Sequence, residues 1–232
     1  MLQENYWTVK EKINEACKKA GRNPEEVTLI AVSKTKQLAD IEEVMKTGCV
    51  DFGENKVQEL CEKEEQVSKP VHWHLIGHLQ TNKVKYIVEK AWLIHSVDSV
   101  KLAEEISKQA VKAKRIIPVL IEVNIAGEDS KFGIAKDECI DFIQSVNQLP
   151  GIAVKGLMTV PPFVENAEDN RQYFKALKQL SVDIMQKNID NVCMDFLSMG
   201  MSGDYTVAIE EGANIIRVGT SIFGERDYFV KA

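Results

Sequence analysis

No apolar run in this chain approaches the roughly 20 residues that a membrane-spanning helix needs. Its opening residues, Met1-Leu2-Gln3-Glu4-Asn5, lack the basic-then-apolar pattern of a secretion signal. Positive charge is also in deficit: 29 Lys and Arg stand against 35 Asp and Glu, for a net charge of −6. With no basic cluster interleaved with aromatics, neutralising phosphates along a nucleic acid is excluded as the main activity. Cys17, Cys49, Cys61, Cys139 and Cys193 are odd in number and scattered, without a CxxC pair. Reduced, mostly structural thiols in a cytoplasmic protein are therefore expected. No linker rich in Pro, Gly or Ser interrupts the chain, so residues 1–232 are read as one domain.

What is present begins with Thr28-Leu29-Ile30-Ala31-Val32-Ser33-Lys34-Thr35-Lys36. A strand buried on both faces reads as a continuous aliphatic run, so Lys34 at its carboxyl end must emerge at the rim of a core or inside a pocket. A desolvated lysine shifts its pKa readily, and its neutral amine is the nucleophile for a Schiff base with a carbonyl compound. A solvated lysine in a turn is the alternative, and local sequence alone does not remove it.

The chain alternates. Val9, Ile13, Ala16 and Cys17 share one face of an amino-terminal helix over 4–20. Strands follow near 27–33, 50–52, 72–76, 92–97, 117–125, 154–160, 194–198 and 214–219, with amphipathic segments between them. Trp73 and Trp92 are read as core. Strands alternating with helices imply parallel pairing through right-handed crossovers. The count predicts an α/β fold, a single (β/α)8 TIM barrel with an extra N-terminal helix, for which about 250 residues is typical.

Barrel active sites gather at the carboxyl ends of the strands. Those ends are Lys34, Asn55, His78, Ser96, Asn124, Met158, Ser198-Met199 and Arg217-Val218-Gly219. Residues 198–204 and 217–224 read as small, hydroxyl-rich loops entering turns or helices, where glycines let backbone amides approach an anion. Barrels commonly hold phosphate after strands seven and eight. A lysine able to form an imine, facing a phosphate cradle, suggests pyridoxal 5′-phosphate (PLP).

The segments AVSKTK at 31–36, FGENKVQE at 52–59, WHLIGHLQTNK at 73–83, GLMT at 156–159, SMGMSGD at 198–204 and RVGTSIFG at 217–224 carry a resemblance nearly end to end. The chain resembles the pyridoxal phosphate homeostasis protein family, PLP-binding proteins once called proline synthetase co-transcribed homologs. It departs at Lys56, where the family often has tyrosine. The resemblance implies a fold-type III barrel like the alanine racemase N-terminal domain, with PLP held as a Schiff base on Lys34. It further implies Ser202, Gly219 and Thr220 at the phosphate, Asn55 beside the ring and Arg217 at the pyridine nitrogen. His78 and Met199 complete the cofactor-binding candidates as strand-end residues. Lys36, two positions on in a strand-end turn, cannot share the aim of Lys34.

PLP enzymes that need a strong electron sink place a carboxylate at the pyridine nitrogen; arginine only donates there. The chain ends at Ala232, without room for the second domain that brings a catalytic tyrosine to alanine racemase, and none of Tyr6, Tyr86, Tyr173, Tyr205 and Tyr228 can be placed opposite Lys34. A carrier or buffer of PLP in vitamin B6 homeostasis, with apo PLP enzymes as clients and a monomer or weak homodimer as its form, is therefore favoured over a committed enzyme. The alternatives are a PLP-dependent racemase-like enzyme and a cofactor-free Schiff-base aldolase. The His72-x-His74 pair could ligate a metal from one strand face, but no histidine follows in strands five to eight, so these residues are assigned to the core or rim and no metal is expected. Residues 127–133 and 165–169 are read as solvated connections rather than lids.

Overall fold

The computed structural model describes residues 1–128 and 130–225; Asp129 of the 127–133 loop and Tyr228 lie outside the described residues. Helix α1 (Leu2–Lys19) buries Tyr6, Val9, Ile13, Ala16 and Cys17 along one stripe, the helical spacing an amphipathic face requires. It is the extra helix of the fold and packs against α2 (Leu38–Met45), α8 (Tyr205–Glu210) and α9 (Thr220–Phe223).

The barrel strands are β1 (Thr28–Val32), β2 (Asp51–Glu54), β3 (His72–Leu75), β4 (Ala91–Val97), β5 (Ile117–Asn124), β7 (Ile152–Met158), β8 (Val192–Met201) and β9 (Ile215–Val218). They run in the order β4-β3-β2-β1-β9-β8-β7-β5, every neighbouring pair is parallel, and a β4–β5 pairing closes the ring. The expected eight-stranded parallel barrel is therefore present. Its covering helices include α3 (Val57–Glu64), α5 (Val100–Lys112), α6 (Cys139–Val146) and α7 (Arg171–Gln186).

Several details differ from the sequence reading. A two-residue strand, β6 (Ile134–Ala135), adds to β5 after the 127–133 loop, and the short helical segment before the fourth strand is a 3-10 turn (Thr81–Lys83) continued by the single α turn α4 (Val84–Ile87). Strand β8 runs on through residues expected to form a loop. Gly200, at φ +92, permits this path, because a Cβ there would lie 2.6 Å from Ala208 Cβ and 2.9 Å from Tyr205 Cα. Trp73 is core, but Trp92 is 52% exposed; it sits at the start of β4 and stacks on His72 with ring centroids 4.0 Å apart. All five cysteines are free, with Cys17, Cys49 and Cys139 buried.

Two apolar layers result. The large one lies between sheet and helices, and a smaller one inside the ring gathers Ile30, Val32, Leu93, Leu120, Met158 and Ile215. Polar residues fill the rest of the interior. Among the described residues no helix is long and apolar enough to cross a membrane.

Candidate functional site

Beyond Val32 the chain turns sharply. The Lys36 N–H donates to the Ser33 carbonyl at 3.0 Å, and Thr35 adopts φ 65, a left-handed conformation costly for a β-branched residue. A buried polar cluster holds that turn. The Glu54 carboxylate accepts from Ser33 Oγ at 2.6 Å and from Lys63 Nζ at 2.8 Å, and Lys63 also donates to the Ser33 carbonyl at 2.8 Å. Glu59 accepts from the Thr35 N–H at 2.5 Å and from Lys63 at 2.7 Å. Residues 33 and 35 are thereby fixed on both sides of Lys34. Burial pushes the Glu54 carboxyl above its usual range, with Lys63 pulling the other way. Lys36 is turned aside: its Nζ donates to the carbonyls of Phe223 and Glu225 at 2.9 and 3.0 Å.

Lys34 lines a cavity of about 710 Å³ at the carboxyl ends of the strands, together with Asn55, Ser202, Arg217, Gly219 and Thr220. The β1–β9 register places Ile30 opposite Arg217, and the β8–β9 register places Met201 opposite it. Residues 201–204 form a tight turn in which Asp204 Oδ1 accepts from the Met201 N–H at 2.7 Å and Oδ2 accepts from Asn170 Nδ2 at 2.8 Å. Both Asp204 oxygens are engaged within the protein, which leaves the hydroxyls of Ser202, Thr220 and Ser221 as the polar groups of that wall. The Gly219 N–H donates to Ser202 Oγ at 3.2 Å, joining the two loops. Asn55 is held against Gly77, where any Cβ would lie 2.5 Å from the Asn55 carbonyl oxygen.

Arg217 is 4% exposed. Its Nη1 donates to Ser198 Oγ at 2.6 Å and its Nη2 to the Thr159 carbonyl at 2.8 Å. Burial lowers it to about 10, with Glu122 and Asp204 opposing, so the guanidinium stays charged near neutrality. An amine, hydroxyls, backbone N–H groups and a fixed cation, brought together by the ends of the adjacent β1, β9 and β8, form a donor set suited to a small aldehyde-bearing phosphate ester.

The alanine racemase N-terminal domain model matches residues 6–227. The pyridoxal phosphate homeostasis protein of Aquifex aeolicus is 46% identical over 226 residues, covering 97% of this chain and 98% of the relative. The chain belongs to the pyridoxal phosphate homeostasis protein family. A family structure, PipY of Synechococcus elongatus with PLP bound, aligns with a TM-score of 0.80 at 32% identity, over 92% of this chain and 100% of PipY. Alanine racemase of Clostridium difficile shares the fold alone, with a TM-score of 0.75 at 14% identity over 98% of this chain and 57% of that enzyme.

Of the candidates read from the sequence of this family member, Lys34, Asn55, Ser202, Arg217, Gly219 and Thr220 meet around one cavity. Met199 does not. Its side chain is fully buried in the layer between sheet and helices, because β8 continues past Ser198 and alternation turns it outward; Met201 and Gly203 line the cavity there. His78 also stands apart from the lining residues. It stacks on Phe132 at 3.9 Å between centroids and pairs with Asp98 at 3.3 Å. None of Tyr6, Tyr86, Tyr173 and Tyr205 lines the cavity.

The sequence reading passed over Lys63, which looks like a solvated residue of an amphipathic helix. It also passed over Pro162, Phe163 and Val164, which bring the loop after β7 onto the cavity. The His72-x-His74 pair forms no metal cluster, and among the described residues no group of three or more His, Cys, Asp or Glu could hold a metal ion.

Proposed function

We propose that this chain, acting as one domain over residues 1–232, binds PLP on Lys34 and carries or buffers it in the cytoplasm. The observation behind this reading is that Lys34, just past the end of β1, and the Ser202, Gly219 and Thr220 group, just past the ends of the neighbouring β8 and β9, line one cavity together with the fixed Arg217. When bound, PLP supplies an aldehyde carbon to which a neutral amine can add.

The protein's own residues do the rest. The Lys63 cluster holds the Lys34 turn, so the ε-amine is presented from a rigid base. Ser202 and Thr220 hydroxyls, with the N–H groups opening α9, bind the phosphate; the first N–H groups of a helix have no intrahelical acceptor. Asn55 flanks the ring. Arg217 offers only donors, so it holds the ring nitrogen without a proton and weakens the electron withdrawal that turnover requires. The clients are apo PLP enzymes, and the working form is a monomer or weak homodimer.

Titration of cofactor-free protein with PLP is expected to produce a visible absorption band that Lys34→Ala abolishes. Mixing the loaded protein with an apo PLP enzyme and a panel of amino acids then separates roles. Transfer without turnover supports a carrier, and steady racemisation or transamination overturns it. A colourless protein after reconstitution would overturn the PLP reading altogether and leave the aldolase alternative.

A further inference from the structure

A line of hydrogen bonds crosses the barrel interior below Arg217. Arg217 Nη1 lies 2.6 Å from Ser198 Oγ, which lies 2.9 Å from His95 Nδ1. His95 Nε2 is 3.0 Å from His74 Nδ1, and His74 Nε2 is 3.1 Å from Asp51 Oδ1 at the start of β2. Since β5 and β7 separate β4 from β8 in the ring, the His95–Ser198 contact spans the interior. His74, His95 and Ser198 are each 2% exposed or less, so their polar atoms are withdrawn from bulk solvent.

The two ends fix the direction. A guanidinium only donates, an ionised carboxylate only accepts, and a neutral imidazole does one of each. Asp51 requires a hydrogen on His74 Nε2, which leaves His74 Nδ1 bare to accept from His95 Nε2–H. His95 Nδ1 is then bare and accepts from the Ser198 hydroxyl, whose oxygen accepts from Arg217. Every contact is satisfied. The reverse order sets the bare His74 Nε2 against Asp51 unless His74 takes a second proton, which its burial disfavours.

We infer that Asp51, His74, His95 and Ser198 are positioning residues that act in one direction through the barrel, committing the Ser198 hydrogen to His95 so that its oxygen can only accept from Arg217, and so fixing the guanidinium fork of Arg217 at the cavity. The order of hydrogens concerns the protein alone; its tie to the cofactor rests on the PLP reading above.

Long-range proton–nitrogen NMR of the four histidines in cofactor-free protein at neutral pH is the test. His74 and His95 are expected to be neutral, each with its hydrogen on Nε2. A hydrogen on His95 Nδ1, or a doubly protonated His74, would overturn the inference. Asp51→Asn keeps an acceptor and should retain both the spectrum and PLP affinity. Asp51→Leu should disturb the His95 signal and weaken PLP binding about tenfold, equivalent to about 1.4 kcal/mol. A folded Asp51→Leu protein with unchanged PLP affinity would overturn the positioning role. Failure of the unaltered protein to take up PLP would overturn the cofactor reading instead, while the spectrum still decides the hydrogen order.

Discussion

The Lys63 ammonium donates to the Ser33 carbonyl at 2.8 Å, so the residue that precedes Lys34 is held by a second, buried lysine. Lys63 also bridges Glu54 and Glu59. Removing one partner of a buried pair leaves the other charge uncompensated, at a typical cost of about 3–5 kcal/mol. Lys63→Met is therefore expected to lower the urea unfolding free energy by about that much and to slow the appearance of the PLP absorption band. Unchanged stability and loading rate would show that the Lys34 turn stands without it.

Gly77 supports Asn55 by having no side chain. In Gly77→Ala the new Cβ would meet the Asn55 carbonyl oxygen at 2.5 Å and its Cα at 2.7 Å, both backbone atoms that cannot swing aside. Overpacking of this kind costs about 1–3 kcal/mol, and displaced Asn55 should weaken PLP binding. Gly203→Ala provides the contrast, since nothing lies within 4 Å of its Cβ; its stability should stay within about 0.5 kcal/mol of the parent. Equal melting temperatures for the two variants would refute the clash.

The barrel was legible because parallel strands buried on both faces are aliphatic runs, and strand ends then placed Lys34 and Arg217 at one mouth, to which the family resemblance added Ser202. What escaped depended on closure or on register. His95 and Ser198 are 103 residues apart, and only a closed ring brings them together. Met199 was misplaced because a glycine inside β8 looked like the start of a loop. Lys63 was missed because a lysine at the end of an amphipathic helix is usually solvated, and its burial follows from contacts with two other elements.

Arg217 donates through two different nitrogens, to Ser198 Oγ and to the Thr159 carbonyl. A lysine in its place keeps the charge but loses the planar fork that serves both acceptors at once. One hydrogen bond to a charged group is worth about 1.5–3 kcal/mol, so Arg217→Lys should lose roughly that much stability and bind PLP more than about tenfold less tightly. Native-like affinity in Arg217→Lys would mean that charge alone matters at this position.

Glu122 gives a pH dependence with a definite sign. Burial, with Asp98 adding to it and Arg217 opposing, pushes its carboxyl from 4.5 up to about 7, and its Oε2 is buried without a hydrogen-bond partner. Between those values the folded protein holds a proton that the unfolded chain has released, so stability from this group is complete below 4.5 and is lost as pH rises through about 7. The interval corresponds to at most about 3 kcal/mol. Glutamine imitates the protonated form, so Glu122→Gln should match the parent in acid and exceed it in unfolding free energy above neutrality. Urea unfolding of both proteins across that range is decisive: parallel profiles would mean that Glu122 titrates like an exposed carboxyl, and a gap that opens with rising pH would place the buried proton on Glu122 beside Arg217.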